Sequence, residues 1–475
     1  MLPKVSSEGR SVTTQRWARG LGVVALGALA VYTAQCQSSK RAPGGGATGV
    51  AGATGSAGSG SAGATGSSGS NGGGAGANGV AGAGTADGGG GAITTGVAGG
   101  NGAAGATGAA GTTASAGATG QGGGGGITSL NNFDGPVFYV FHGDGTLHAL
   151  QEGTWQEIGM WSGLPTSDDV RGVDADVDNG ILYFTHGAAG PGSNGIADKN
   201  GSLAAWSFYQ NKLIYDIKLT HGVDALSYGE GVVYVPDGEY TNDRLWYYYK
   251  AADGTLIGTE PGGMNPHDTI WKNGHRYYGG TEDTYLYVLG LPITKVGPSP
   301  SGTAGVRPFT VNGTETRAYI TWSNYRGFSV GDLTTGNIIK SINFGGNPCV
   351  IAPSHGASLS PDNKEIYVMD SCVDTIRAYT ATDDPQPIAA VQLTHKIHGG
   401  TEQDCAWDCG KDGWVTHSRD GKYVYVGDSG DVIDTATHAV STYIDLLSNS
   451  RHSYIEMDWS HGKIVDTATH VGLGH

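Results

Sequence analysis

The chain has 475 residues and carries 43 acidic against 27 basic side chains, a net charge of −16 at pH 7. That balance excludes the clustered Lys and Arg surface a nucleic-acid binder needs. Its 85 glycines far exceed the ordinary share of about 7%, yet 23 tyrosines and 10 tryptophans exclude a chain that is disordered throughout.

The first segment is basic, with Arg10, Arg16 and Arg19, and is followed by an apolar run over 21–32. Such a run is too short to cross a hydrocarbon core of about 30 Å as a helix, but it matches the apolar part of a secretory signal. It ends at Thr33-Ala34-Gln35-Cys36, ahead of polar Gln37-Ser38-Ser39. This resembles a bacterial lipoprotein signal, which implies export and lipidation of Cys36 as the first mature residue. Gln35 departs from the Gly, Ala or Ser of that signal. The alternative is ordinary cleavage nearby, which gives a soluble secreted product.

Residues 37–132 form the next region, and from Ala42 to Asn132 the only ionisable side chain is Asp87. Glycine falls at every third place in runs, as at Gly46, Gly49 and Gly52, but the phase slips and Pro43 is the only proline there. A collagen triple helix needs sustained register and abundant imino acids. The expectation is a disordered tether averaging on the order of 50 Å end to end.

From Phe133 the texture changes. Short β-rich runs recur at 137–140, 181–184, 232–235, 275–278, 318–321, 366–369 and 423–426. Most follow an Asn-Gly or Asp-Gly type turn, as at Asn273-Gly274 and Asp420-Gly421, which supplies the positive-φ residues of a tight hairpin. Third and usually fourth runs come after each. Four strands per unit, at about 47 residues per unit, define propeller blades. The region over 137–160 supplies three strands and the region near 453–459 supplies one. Joined, they complete a seventh blade and remove the open sheet edges. The predicted fold is therefore all-β, a seven-bladed β-propeller over 133–475, with no place in the scheme for the tail 461–475.

Ser358-Leu359-Ser360-Pro361-Asp362-Asn363-Lys364-Glu365-Ile366-Tyr367-Val368 and Ser418-Arg419-Asp420-Gly421-Lys422-Tyr423-Val424-Tyr425-Val426 resemble the YVTN-type β-propeller repeat. The match is strong over 353–437 and weak elsewhere. Relatives of this kind include lactonases, dehydrogenase subunits, lyases and pure binding modules, so the resemblance implies fold and not activity.

Beyond Cys36 there are four cysteines. In an exported chain an even number suggests disulfides, and local pairing gives Cys349–Cys372 and Cys405–Cys409. A zinc site using the Cys405-x-x-x-Cys409 spacing is the rival reading.

In a propeller the first strand of each blade lines the central channel. His221, His267, His355 and His452 fall at predicted first-strand starts, with Arg171 and Arg307 at two others and His398 in a long connection leading into the seventh blade. Imidazoles from several blades can hold a transition metal. Alternatively, each His bonds neighbouring loops, and recurrence reflects only the repeat. A version without metal has Arg171 and Arg307 gripping a carboxylate while a His acts as base. Asp174-x-Asp176-x-Asp178 departs from a calcium loop, with its glycine one place late at Gly180 and Thr185 at position twelve.

The resulting expectation is an exported, lipid-anchored binding module of the bacterial cell envelope with a His-rich site on one face. A propeller enzyme of the lactonase, lyase or metal oxidoreductase kind, and an envelope protein-interaction scaffold, are the alternatives. Partners are a small molecule or an envelope protein, with the membrane met through the lipid anchor only.

Overall fold

The computed structural model describes residues 133–166, 170–187, 201–239, 241, 243–300, 305–401, 410–451 and 453–468. Cys36, the stalk, Cys405, Cys409 and His452 lie outside the described residues.

Seven antiparallel sheets form the blades of a seven-bladed propeller. The first strands of the four-strand units are Tyr454–Ser460, Val170–Asp176, Ser227–Gly229, Pro266–Lys272, Val306–Val311, Ala357–Leu359 and Trp414–His417, and the blades are numbered one to seven in that order. Each neighbours the next around the channel, from Tyr454–Ser460 through to Trp414–His417. Burial falls from the channel outward. In blade two Val170–Asp176 is buried throughout, whereas the outermost strand Lys212–Lys218 is exposed or half-buried along its length. The second strands, such as Glu365–Asp370, are nearly continuous buried runs because both of their faces pack against neighbouring blades.

The hairpins follow from their turn residues. Asn273 and Gly274 take φ of 47° and 84°, the two positive-φ positions of a tight turn. Glu230 and Gly231 do the same at 50° and 79°, in a blade whose sequence carries no Asn or Asp signal. In blades six and seven the hairpin is longer and is organised by serine. Ser360 Oγ accepts the N–H groups of Lys364 and Glu365 at 3.1 and 2.9 Å, and Ser418 Oγ accepts that of Tyr423 at 2.9 Å. Their hydroxyls donate to Asp362 and Asp420 at 2.7 and 2.9 Å.

The ring closes where Tyr454–Ser460 pairs with Gly135–His142, with Val140 opposite Tyr454. Phe138 of blade one stacks on Tyr425 of blade seven, ring centroids 4.1 Å apart. The tail, which the four-strand scheme left without a place, turns back at His461 and Gly462 (φ 53° and 73°) and adds Lys463–Ala468 as a fifth strand. This strand takes the edge of Tyr454–Ser460 that faces the channel in every other blade. Asp466 in it pairs with Arg419 of blade seven, and the Ile464 N–H donates to the Tyr209 hydroxyl of blade two at 2.9 Å. The added strand thereby ties blade one to both of its neighbours.

Cys349 and Cys372 form the expected disulfide. It links the loop before the innermost strand of blade six to the short 3-10 turn Ser371–Val373. Its residues lie 23 apart in sequence. On loop-closure grounds, replacing both cysteines by serine should cost about 3 kcal/mol, measured as a lower denaturation midpoint with the blades otherwise intact.

The closing seam buries a carboxyl pair. The Tyr425 hydroxyl lies 2.7 and 2.9 Å from Glu152 Oε2 and Glu456 Oε2, bridging the two carboxyls, and the Arg419 N–H donates to Glu456 Oε1 at 3.0 Å. Burial, reinforced by the Glu152 charge, pushes the Glu456 carboxyl well above the usual range. Burial also raises Glu152, although Tyr425 opposes the shift, and Asp420 and Lys422 are the next charges facing it. A raised folded-state pKa means the seam's stability is full at low pH and lost as pH climbs through that raised value. The thermal midpoint of the parent chain should therefore fall toward alkaline pH. Glu456→Gln should flatten that profile and melt a few degrees higher than the parent at the alkaline end.

Candidate ligand site at the channel mouth

The mouth is the face carrying the starts of the innermost strands and the ends of the second strands. Three of the expected residues reach it by the same device. In blade two Val170 pairs with His186 and Gly172 with Thr185, so Arg171 lies at a slip in register. His267 occupies the equivalent slip between Pro266 and Asp268. Arg307 falls in the one between Val306 and Phe309. A bulge turns a side chain away from the regular alternation, here toward the mouth. Gly172 also permits the contact between blades, because a Cβ there would come within 2.4 Å of the Leu226 backbone nitrogen.

These side chains form one chain of contacts across blades two to five. An Arg171 guanidinium N–H donates to Asp224 Oδ1 at 3.2 Å, and Asp224 Oδ2 accepts from His267 Nδ1 at 3.0 Å. His267 Nδ1 also lies 3.2 Å from Glu239 Oε1, which accepts from Arg307 at 3.0 Å. Arg307 Nε donates in turn to Ser323 Oγ at 2.9 Å. The His355 ring stacks against His267 with centroids 5.5 Å apart, while its Nδ1 donates to the Gly413 carbonyl at 2.9 Å. Arg171, Asp224, His267, Arg307 and His355 are all buried.

Buried charges must be paired or neutralised, and the network shows both outcomes. Burial pushes the Glu239 carboxyl upward, but Arg307, His267, Arg171 and His355 outweigh it and hold it far below the usual carboxylate range. Burial would lower the His267 pKa, yet Asp224 and Glu239 outweigh it and raise the value. His355 has no such carboxylate. Burial, then the charges of His267, Arg451 and Arg307, lower its pKa strongly, so it stays a neutral imidazole. Across the mouth Arg451 meets Asp428 at 3.5 Å, and Asp428 Oδ2 accepts the N–H groups of Asp412 and Gly413 at 3.0 Å each.

The structure thus brings together Arg171, Arg307, His267 and His355. It does not bring His221 to them. The innermost strand of blade three starts only at Ser227, and both His221 ring nitrogens are engaged, by the Gly222 carbonyl and the Tyr249 hydroxyl at 2.5 Å each. Its ring also stacks on Tyr247 at 3.6 Å. His398 is exposed in the connection before blade seven, where its N–H donates to Asp374 Oδ1 at 2.8 Å.

Two residues of the network escaped the sequence, Asp224 and Glu239. Asp224 was findable. Blades three and four share a two-residue hairpin, and counting back eight places from the second-strand starts Val232 and His275 reaches Asp224 and His267. The position in blade three equivalent to His267 is thus Asp224, three residues beyond His221 of the His-Gly pair. Glu239 follows the end of Val232–Pro236 and carries no repeat signal.

Asp224, Glu239 and His267 offer ligand atoms that all lie within 4.8 Å of one another, a geometry able to hold a metal ion. His267 Nε2 is buried and finds no hydrogen-bond partner among the described residues.

No protein-family model and no curated protein matches the chain. Among solved structures it is similar to a putative 6-phosphogluconolactonase from Bacteroides uniformis, at 14% identity over 66% of this chain and 98% of that one, with a TM-score of 0.49. It is also similar to a functionally unknown protein from Desulfotomaculum acetoxidans, at 9% identity over 66% and 97%, with a TM-score of 0.49. The WD40 repeats of RRP9 align at 10% identity over 68% and 90%, with a TM-score of 0.47. Likenesses at this level assign neither activity nor ligand to the chain.

Removing the central carboxylate should be severe. Asp224→Ala leaves Arg171 and His267 buried without their shared partner and should cost about 3–5 kcal/mol of stability. Ser323→Ala, which removes only a terminal hydroxyl, should cost about 1 kcal/mol. Chemical denaturation of the two variants measures the difference.

Proposed function

We propose that this chain is an exported, lipid-anchored propeller of the bacterial envelope that binds a divalent transition metal at its channel mouth. The observation that carries the reading is the convergence of one imidazole nitrogen and two carboxylate oxygens, from His267, Asp224 and Glu239. Mixed nitrogen and oxygen donors of this kind suit zinc, manganese or iron. Arg171 and Arg307 would hold the two carboxylates from outside, as hydrogen-bonded second-sphere partners do. Bound metal would supply Lewis-acid or redox chemistry, which links this reading to a metal-dependent enzyme.

A second reading is supported by a different feature. The unpartnered His267 Nε2 stands in a network with two guanidiniums, an arrangement that suits a small anionic ligand.

Elemental mass spectrometry for metals and native mass spectrometry for bound anions, on the untagged 131–475 chain, separate the two. Near-stoichiometric zinc, manganese, iron or copper in the parent, falling at least about tenfold in His267→Gln and Asp224→Asn, supports the metal site. Absence of metal after reconstitution, with retention of acetate or phosphate lost in Arg307→Gln, supports the anion site and overturns the metal reading.

The serine-organised hairpins of blades six and seven support membership of the YVTN-type propellers. The lipid anchor is supported by the segment ending at Cys36, and among the described residues no helix is long and apolar enough to cross a membrane. Cys36→Ser should abolish metabolic labelling with palmitate and move the chain from the membrane fraction to the soluble one. Retention of label in the variant would overturn the anchor.

A further inference from the structure

The face opposite the mouth carries a cleft of about 430 Å³ between blades six and seven, within the size range of small-molecule sites. Its walls are the two serine-organised hairpins, which contribute Asp362, Lys364 and Glu365 from blade six and Asp420 from blade seven, with Thr435 at the rim and His417 also lining it.

His417 carries the chemical information. It is 2% exposed, and its Nε2 finds no hydrogen-bond partner among the described residues. Burial pushes its pKa down to about 3 against a weak opposing pull from Asp362, so the ring is neutral and carries one proton. Ser358 Oγ accepts the His417 backbone N–H at 2.9 Å, and its hydroxyl lies 2.8 Å from Nδ1. With that hydroxyl donating to Nδ1, the ring proton sits on Nε2. A buried donor left unsatisfied is costly, and a ligand acceptor would recover that cost.

The rest of the lining is of opposite character. Asp362, Glu365 and Asp420 each take internal donors. Lys364 reaches Asp362 at 2.7 Å, the Tyr367 hydroxyl reaches Glu365 at 3.0 Å, and Ser418 reaches Asp420 at 2.9 Å. A carboxylate has about four lone-pair sites, so each keeps accepting capacity. Three carboxylates against two ammoniums, Lys364 on Asp362 and Lys422 on Asp420, disfavour an anion. The buried His417 donor disfavours a cation beside it. A hydroxyl group satisfies both demands, because it accepts from Nε2–H while neighbouring hydroxyls donate to the carboxylates.

We propose that this cleft is a binding site for a neutral polyhydroxylated ligand, of mono- or disaccharide size, held by His417 Nε2–H and by the carboxylates of Asp362, Glu365 and Asp420.

The test is ligand-observed saturation-transfer NMR on the full chain, with methyl α-D-glucoside, N-acetylglucosamine and myo-inositol as polyol probes. Acetate and spermidine serve as anionic and cationic controls. At least one polyol should bind with a dissociation constant on the order of millimolar, and the controls should not. Thr435→Trp, which fills the rim from a half-buried turn position, should weaken that polyol by about tenfold or more. In the unmodified chain the same polyol should also shift the imidazole ¹⁵N resonance of His417, a readout that needs no variant to fold. Failure of all three polyols, preference for spermidine or acetate, unchanged affinity in Thr435→Trp, or an unmoved His417 resonance on saturation would each overturn the proposal.

Discussion

The mouth of this propeller depends on one constraint: charged side chains aimed into a buried ring must be neutralised by the blades beside them. Asp224 is the pivot. It stands between Arg171 of blade two and His267 of blade four, and His267 passes the connection to Glu239 and Arg307. Each pair joins different blades or different segments of a blade, so the electrostatic chain fixes neighbouring blades at the face where a ligand would enter. The register slips at Arg171, His267 and Arg307 place these side chains. A regular strand in the same position would alternate them between the two faces of the blade.

The two faces are chemically distinct. The mouth concentrates guanidinium, carboxylate and imidazole groups in mutual contact. On the opposite face, blades six and seven present hairpins whose serine and aspartate side chains mainly satisfy their own turns, leaving accepting capacity at the surface beside the buried imidazole of His417. The neutral His417 and the carboxylate-flanked His267 differ because of their neighbours. Burial acts on both, but only His267 has two carboxylates against its ring. The fifth strand Lys463–Ala468 follows the channel-side edge of blade one, and so separates the channel's environment there from that of the other six blades.

Much of the fold was legible because the repeat is written in local signals. The aliphatic and aromatic second strands, the Asn-Gly turns and the split blade at the two ends suffice for seven blades and for the pairing of Tyr454–Ser460 with Gly135–His142. Cys349 and Cys372 were legible as a local pair for the same reason. The site was legible only in part. Arg171, Arg307, His267 and His355 reach the mouth because each lies close to its strand start. His221 does not, because the chain before Ser227 follows a loop that the His-Gly pair alone does not reveal. Glu239 sits beyond a strand end, where position depends on the packing of neighbouring blades and not on period. Lys463–Ala468 was missed because a four-strand repeat has no slot for a fifth strand.

The central claim is that Asp224, Glu239 and His267 together form a metal centre. Crystals of the 131–475 chain soaked in manganese and measured by anomalous diffraction test it most directly. The account predicts an anomalous peak within coordination distance of all three side chains, with Arg171 still on Asp224 Oδ1. A mouth free of anomalous density at full soaking, with His267 Nδ1 still donating to Asp224 and Glu239, would contradict it.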